Sequence, residues 1–170
     1  MTEPRPRKTG SKPIESMTFD ETDQRILEIL QQDSDTPIQA ISEAVGLSTN
    51  PCWRRIKRME EAGVIKKRVV LVDQIRANVP LTVFIGVSTS RHEIDWLNTF
   101  RALIDEIPEV VEAYRLTGTV DYILKVVVAD MAAYDAVYKR MIQRLEFSQV
   151  NSMISMEELK FTTAIPTDHL

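Results

Sequence analysis

The sequence predicts an α+β protein in two parts, an N-terminal helix-turn-helix unit followed by a short strand and a C-terminal ferredoxin-like βαββαβ sandwich. Three observations predict it. Two short helical repeats of apolar residues meet across Gly46-Leu47-Ser48. Beyond residue 80 the apolar periodicity runs strand, helix, strand, strand, helix, strand. Finally, the positive charge is concentrated on one short segment of the first part.

With 170 residues and 44% hydrophobic content, the chain can build either one mid-sized core or two small ones. The net charge of −4 would disfavour a polyanionic partner if it were evenly spread. It is not. Residues 46–68 carry seven Lys/Arg against Glu60 and Glu61, a net +5, whereas residues 18–45 carry Arg25 against seven acids, a net −6. A local positive island of this kind is what a phosphate backbone responds to. No apolar run reaches the roughly 18 residues a membrane helix needs, and MTEPRPRKTGSKPIESM lacks the apolar stretch of a secretory signal, so the expected location is cytoplasmic, with no membrane partner. Cys52 is the lone cysteine, and His92 and His169 are far apart, so neither a disulfide nor a structural metal or other cofactor is expected.

The elements follow in order. Residues 1–17 are polar, with three prolines and a net charge of +2, which predicts a disordered basic arm, whether functional or dispensable. The first unit spans residues 18–72. Asp20 can cap a helix, Asp23 falls in its first turn, and Ile26, Leu27, Ile29 and Leu30 give it an apolar face before the polar break at Gln31 to Asp35. Thr36-Pro37-Ile38-Gln39 has the spacing of a capping box with proline at the first helical position. Ile38, Ile41 and Val45 continue that second helix, and Gly46 supplies a left-handed stop. Ser48 caps a third helix that ends at Gly63, and two short helices joined by so tight a turn make a helix-turn-helix. Val64-Ile65 and Val69 to Val72 predict a strand, and residues 73–80 a linker.

The second unit spans residues 81–166. Strands are expected over Leu81 to Val87, Val110 to Thr117, Tyr122 to Val128 and Val150 to Met156. Helices lie between them, one marked by Ile94, Leu97, Phe100, Ile104 and Ile107 and closed by Pro108, the other by Met131, Tyr134, Val137, Tyr138, Met141, Ile142 and Leu145. Four antiparallel strands with two helices on one face leave the other face, with Phe84 and Met153, open to water. Dimerisation through that face is the economical remedy.

At about 100° per residue, Cys52, Ile56 and Met59 cluster on one side of the third helix, with Asn50, Arg54, Lys57, Arg58 and Glu61 opposite and Trp53 and Arg55 on the flanks. A helix so divided can lie in the major groove of double-stranded DNA, where Arg reads guanine and Asn reads adenine. Ser48 and Thr49 stand at its N-terminal end, and Lys66 follows as a phosphate contact. Trp53 suits partial burial as well as a sugar or thymine-methyl contact. In the second unit, Thr117-Gly118-Thr119-Val120-Asp121 is a polar, glycine-bearing turn between apolar strands. It fits a plain hairpin turn. The functional alternative is a small-molecule site in which Gly118 admits a ligand and Asp121 accepts a hydrogen bond or holds an ammonium group.

Three tracts carry a family resemblance: LSTNPCWRRIKRMEEAGVIKKRVVLVD, RLTGTVDYILKVVVADMAAYDAVYKRMI and SMISMEELKFTTAIP. Together they resemble the Lrp/AsnC, or feast/famine, transcription regulators over residues 18–166. The resemblance implies a winged DNA-binding domain and an amino-acid-binding domain that dimerises through its sheet. It further implies assembly of dimers into tetramers or octamers, with effectors bound between dimers near Gly118 to Asp121. Many members carry an aromatic residue at the place of Val120. Asn50 to Arg55 and Met156 to Thr163 are most similar to a proteobacterial subgroup that includes a regulator of cysteine detoxification, which makes cysteine a candidate effector.

Two rival functions are weighed against a regulator. An enzyme needs a converging catalytic set, and the sequence offers no nucleophile, phosphate loop or carboxylate pair. An architectural DNA-binding protein without effector shares every DNA-binding feature, so ligand titration alone separates it from a regulator.

Overall fold

A computed structural model describes residues 18–91 and 93–169; the predicted arm over 1–17 and His92 lie outside the described residues. The chain forms two compact units, one comprising the residues up to Val70 together with the segment from Phe161 onward, the other Leu71–Lys160.

The first unit holds α1 (Glu21–Gln32), α2 (Ile38–Ala44) and α3 (Thr49–Glu61). Asp20 caps α1 reciprocally with Asp23, each side chain accepting from the other's backbone N–H, so two of the orphan donors at the helix start are satisfied. Ile26 and Leu27 meet Ile41, Val45, Cys52, Ile56 and Met59 in one buried cluster. Full burial of such side chains contributes about 1.5–3 kcal/mol each, and it is this cluster that holds three short helices together. The tight turn is as expected: Gly46 has φ +70°, and the Leu47 N–H reaches back to Ser42 O at 2.8 Å.

Two local expectations fail. The Thr36 hydroxyl donates to Asp33 O at 2.9 Å instead of capping α2, whose N-cap is Pro37 and carries no side-chain cap bond. The strand expected over Val64-Ile65 and Val69 to Val72 is absent among the described residues. Val64 and Ile65 turn their N–H groups to Met59 O, closing α3, while Val69 to Val72 remain exposed. Strand-forming residues become a strand only when another strand satisfies their backbone groups, and none among the described residues does so here.

A further element was not foreseen. The segment from Phe161 belongs to the first unit, where the Gln31 carboxamide brackets Ile165, accepting its N–H at 2.7 Å and donating to its carbonyl at 3.1 Å. Thr167 is buried beside Glu28. The C-terminal segment thus lies along α1, not with the second unit.

That second unit is the predicted sandwich: β1 (Leu81–Ser88), α4 (Ile94–Asp105), β2 (Val110–Arg115), β3 (Tyr122–Val128), α5 (Met131–Arg144) and β4 (Gln149–Ile154), in the sheet order β2-β3-β1-β4 with every pairing antiparallel. Val83, Ile85, Val87, Tyr122, Leu124, Val126 and Val128 face the helices and bury against Trp96, Phe100, Leu103, Val137 and Met141. Asp130 caps α5 through the Ala133 N–H at 2.8 Å. On the other face the register aligns Glu112, Lys125, Phe84 and Met153 in one row across all four strands. Glu112 accepts from the Tyr114 hydroxyl at 2.8 Å and from Lys125 at 3.2 Å, bonds that hold its carboxyl below its ordinary pKa.

Candidate nucleic-acid interface and effector turn

The recognition helix is α3, and the core fixes its orientation. Because Cys52, Ile56 and Met59 are buried, the opposite face is solvent-borne by geometry. Asn50, Trp53, Arg54 and Lys57 are exposed there, Arg54 with no ion pair among the described residues and Lys57 in a 3.3 Å pair with Glu60. Trp53 is 55% exposed, so it is part covered yet keeps ring surface open among the described residues. Ser48 occupies the N-cap without a side-chain cap bond, leaving its hydroxyl and the first N–H groups of the helix open beside Thr49. Lys66 is exposed beyond the helix, whereas Arg68 is tied to Ser34 O at 3.1 Å and to Glu60 at 3.5 Å.

Arg55 and Arg58 are differently placed from the rest. Arg55 Nη1 donates to Asp20 at 2.7 Å and to Asp23 Oδ1 at 2.9 Å, and Arg58 Nη2 donates to Asp23 Oδ2 at 2.6 Å. The wheel puts Arg58 on the open face; in the fold its guanidinium turns back to α1. The Asp23 N–H and the Arg55 guanidinium hold the Asp20 carboxyl below its usual value, and the two acids in turn raise Arg55. Sequence reading gave Asp20 and Asp23 to helix capping alone. Their three-residue spacing, matching that of Arg55 and Arg58, was the signal that the two pairs are complementary. Cys52 is fully buried, and burial pushes its thiol pKa up, as suits a core residue.

The turn between β2 and β3 brings Thr117 to Asp121 together, with Thr117, Gly118 and Thr119 exposed. Gly118 has φ +127°, a conformation that side-chain-bearing residues adopt only under strain, and no atom crowds the place a Cβ would take. Val120 folds over Gly86 of β1, where a Cβ would come within 3.3 Å of its Cγ1. Gly86 is therefore a residue of the turn's support that sequence reading missed. Asp121 accepts the Thr89 N–H on Oδ2 at 2.8 Å, its own N–H donates to Val87 O at 3.0 Å, and its carbonyl accepts from Leu116 at 2.8 Å. These bonds pin the turn to the end of β1, and Oδ1 carries no hydrogen bond among the described residues.

Residues 82–165 match the family model described as the Lrp/AsnC ligand binding domain, and residues 19–66 match that of a winged helix-turn-helix DNA-binding domain. The glutamate uptake regulatory protein of Zymomonas mobilis is 44% identical over 148 residues, which is 87% of this chain and 90% of that protein. The chain belongs to the Lrp/AsnC family. As a member of it, this protein is a DNA-binding transcription regulator with a ligand-binding domain, and not an enzyme. Among solved structures, an Agrobacterium tumefaciens AsnC family regulator superposes with TM-score 0.86 at 51% identity, covering 89% of this chain and 99% of that one. The Neisseria meningitidis regulator NMB0573, solved as a complex with L-Met, superposes with TM-score 0.85 at 34% identity and the same coverage. No described helix of this Lrp/AsnC protein is long and apolar enough to cross a membrane.

Proposed function

We propose that this Lrp/AsnC regulator lays α3 in the major groove, with Asn50, Arg54 and Lys57 toward base edges. Ser48 and Thr49 at its N-terminal end and Lys66 beyond it meet phosphates, Trp53 packs on a sugar or thymine methyl, and Arg55 and Arg58 flank the reading face. The observation that carries the reading is the free, exposed cation of Arg54, centred opposite the buried Cys52, Ile56 and Met59.

The effector is an amino acid, acting in the cytoplasm at Thr117 to Asp121, where Gly118, lacking a side chain, leaves room and Asp121 keeps one carboxylate oxygen for an ammonium group. The neisserial relative's L-Met supports the class of ligand, and the subgroup resemblance keeps cysteine beside methionine as a candidate. Dimers form through the Phe84 and Met153 face and associate further into tetramers or octamers, so that a ligand at the turn changes how neighbouring dimers pack. Such a ligand shifts the assembly only by its differential affinity for the two arrangements.

Thermal-shift screening of the twenty amino acids, followed by DNA binding with and without any hit, tests this reading. The expected result is a raised Tm for cysteine or methionine and an altered DNA affinity. No response to any amino acid would favour the architectural alternative.

A further inference from the structure

This inference rests on α3 being the DNA-reading helix and concerns what sets its charge. Asp23 is the one charged side chain among the buried polar residues of the described part of the chain, with 0% exposure. A buried carboxylate is tolerated only when cations and donors satisfy it. Here Oδ1 takes Arg55, while Oδ2 takes Arg58 and the Asp20 N–H. Asp20 takes the same Arg55 Nη1 on both of its oxygens, at 2.8 and 2.7 Å. Two carboxylates therefore face two guanidiniums, and the group has no net charge. Arg58 Nε is buried without a partner, so the side chain is committed to this arrangement at the expense of one of its own donors. On the wheel Arg55 and Arg58 occupy one edge of α3, while Asn50 and Lys57 lie on the other side of Arg54.

We propose that Asp23 is a positioning residue for DNA recognition: it neutralises and immobilises Arg55 and Arg58 as one edge of α3, leaving discrimination to Asn50, Arg54 and Lys57. Non-specific affinity follows the number of cations offered to phosphates. Withdrawing two of them weakens binding to any duplex while leaving the base-reading face intact. The loss falls alike on specific and non-specific duplexes, so Asp23 sets the overall affinity and its salt dependence and not the choice of sequence.

Asp23→Asn in the full chain tests this, with affinities measured by fluorescence anisotropy across a salt series. The probes are a duplex selected by this protein from a randomised pool and a shuffled duplex of the same composition. The expected result on the shuffled duplex is a log-log salt slope steeper by about one unit, from one released cation at about 0.9, since Asp20 still holds Arg55. Affinity for both duplexes should rise together, leaving their ratio about unchanged. A merely structural Asp23 would instead weaken both duplexes in parallel at unchanged slope, and that outcome overturns the proposal. Should Asp23→Asn fail to fold, Asp20→Asn serves, because asparagine is an equally good N-cap and the change removes charge from beside Arg55 alone. A folded Asp20→Asn with wild-type slope would overturn the proposal too.

Discussion

Removing the Asp121 side chain separates the structural from the ligand-binding role of the effector turn. Asp121→Ala deletes one charge-assisted hydrogen bond, to the N–H of Thr89, a residue 6% exposed. Such bonds are worth about 1.5–3 kcal/mol, and the half-exposed position of Asp121 places this one near the lower limit, at about 1.5 kcal/mol. For a domain the size of Leu71–Lys160 each kcal/mol is about 4–8 °C, so its Tm should fall by about 6–12 °C in differential scanning calorimetry. Asp121→Asn keeps an acceptor for Thr89 but loses the charge. It should cost about half as much in Tm, yet weaken amino-acid binding at least about tenfold, or ~1.4 kcal/mol, in calorimetric titration. Wild-type effector affinity in a folded Asp121→Asn would refute the ammonium role. An unchanged Tm in Asp121→Ala would refute the hydrogen bond's contribution.

The remaining predictions address the other elements. Arg54→Ala should cost specific DNA binding about 1–3 kcal/mol in gel-shift titration, and Lys66→Ala should weaken all sequences evenly while lowering the salt slope by about one unit; no change in either would remove these residues from the interface. If dimers form through this face as proposed, Phe84→Lys, which sets a charge beside Lys125 in the open row of the sheet, should leave the protein monomeric at micromolar concentration in light scattering. Gln31→Ala removes both bonds to Ile165, and amide exchange should accelerate around residue 165 while α3 stays protected. The folded-state pKa of Asp20 is depressed below its ordinary 3.8, so the stability it contributes is present above that value and lost as pH falls through the lowered one. Acid unfolding of the first unit below about pH 4 should therefore be shallower in Asp20→Asn.

Periodicity made most of the fold legible. Cys52, Ile56 and Met59 recur at helical spacing, and Tyr122, Leu124, Val126 and Val128 alternate, because each pattern must put its apolar side against a core. Gly46 and Gly63, both at positive φ, mark helix ends for the equally local reason that other residues resist that conformation. Tertiary structure alone decided the choice of partners. Asp23 finds Arg55 and Arg58 across 32 and 35 residues, Gln31 finds Ile165 across 134, and Val69 to Val72 find no strand to join. A side chain's nature states that it needs a cation, a donor or a neighbouring strand, but which one it gets depends on the packing of distant helices, and that leaves no periodic trace along the chain.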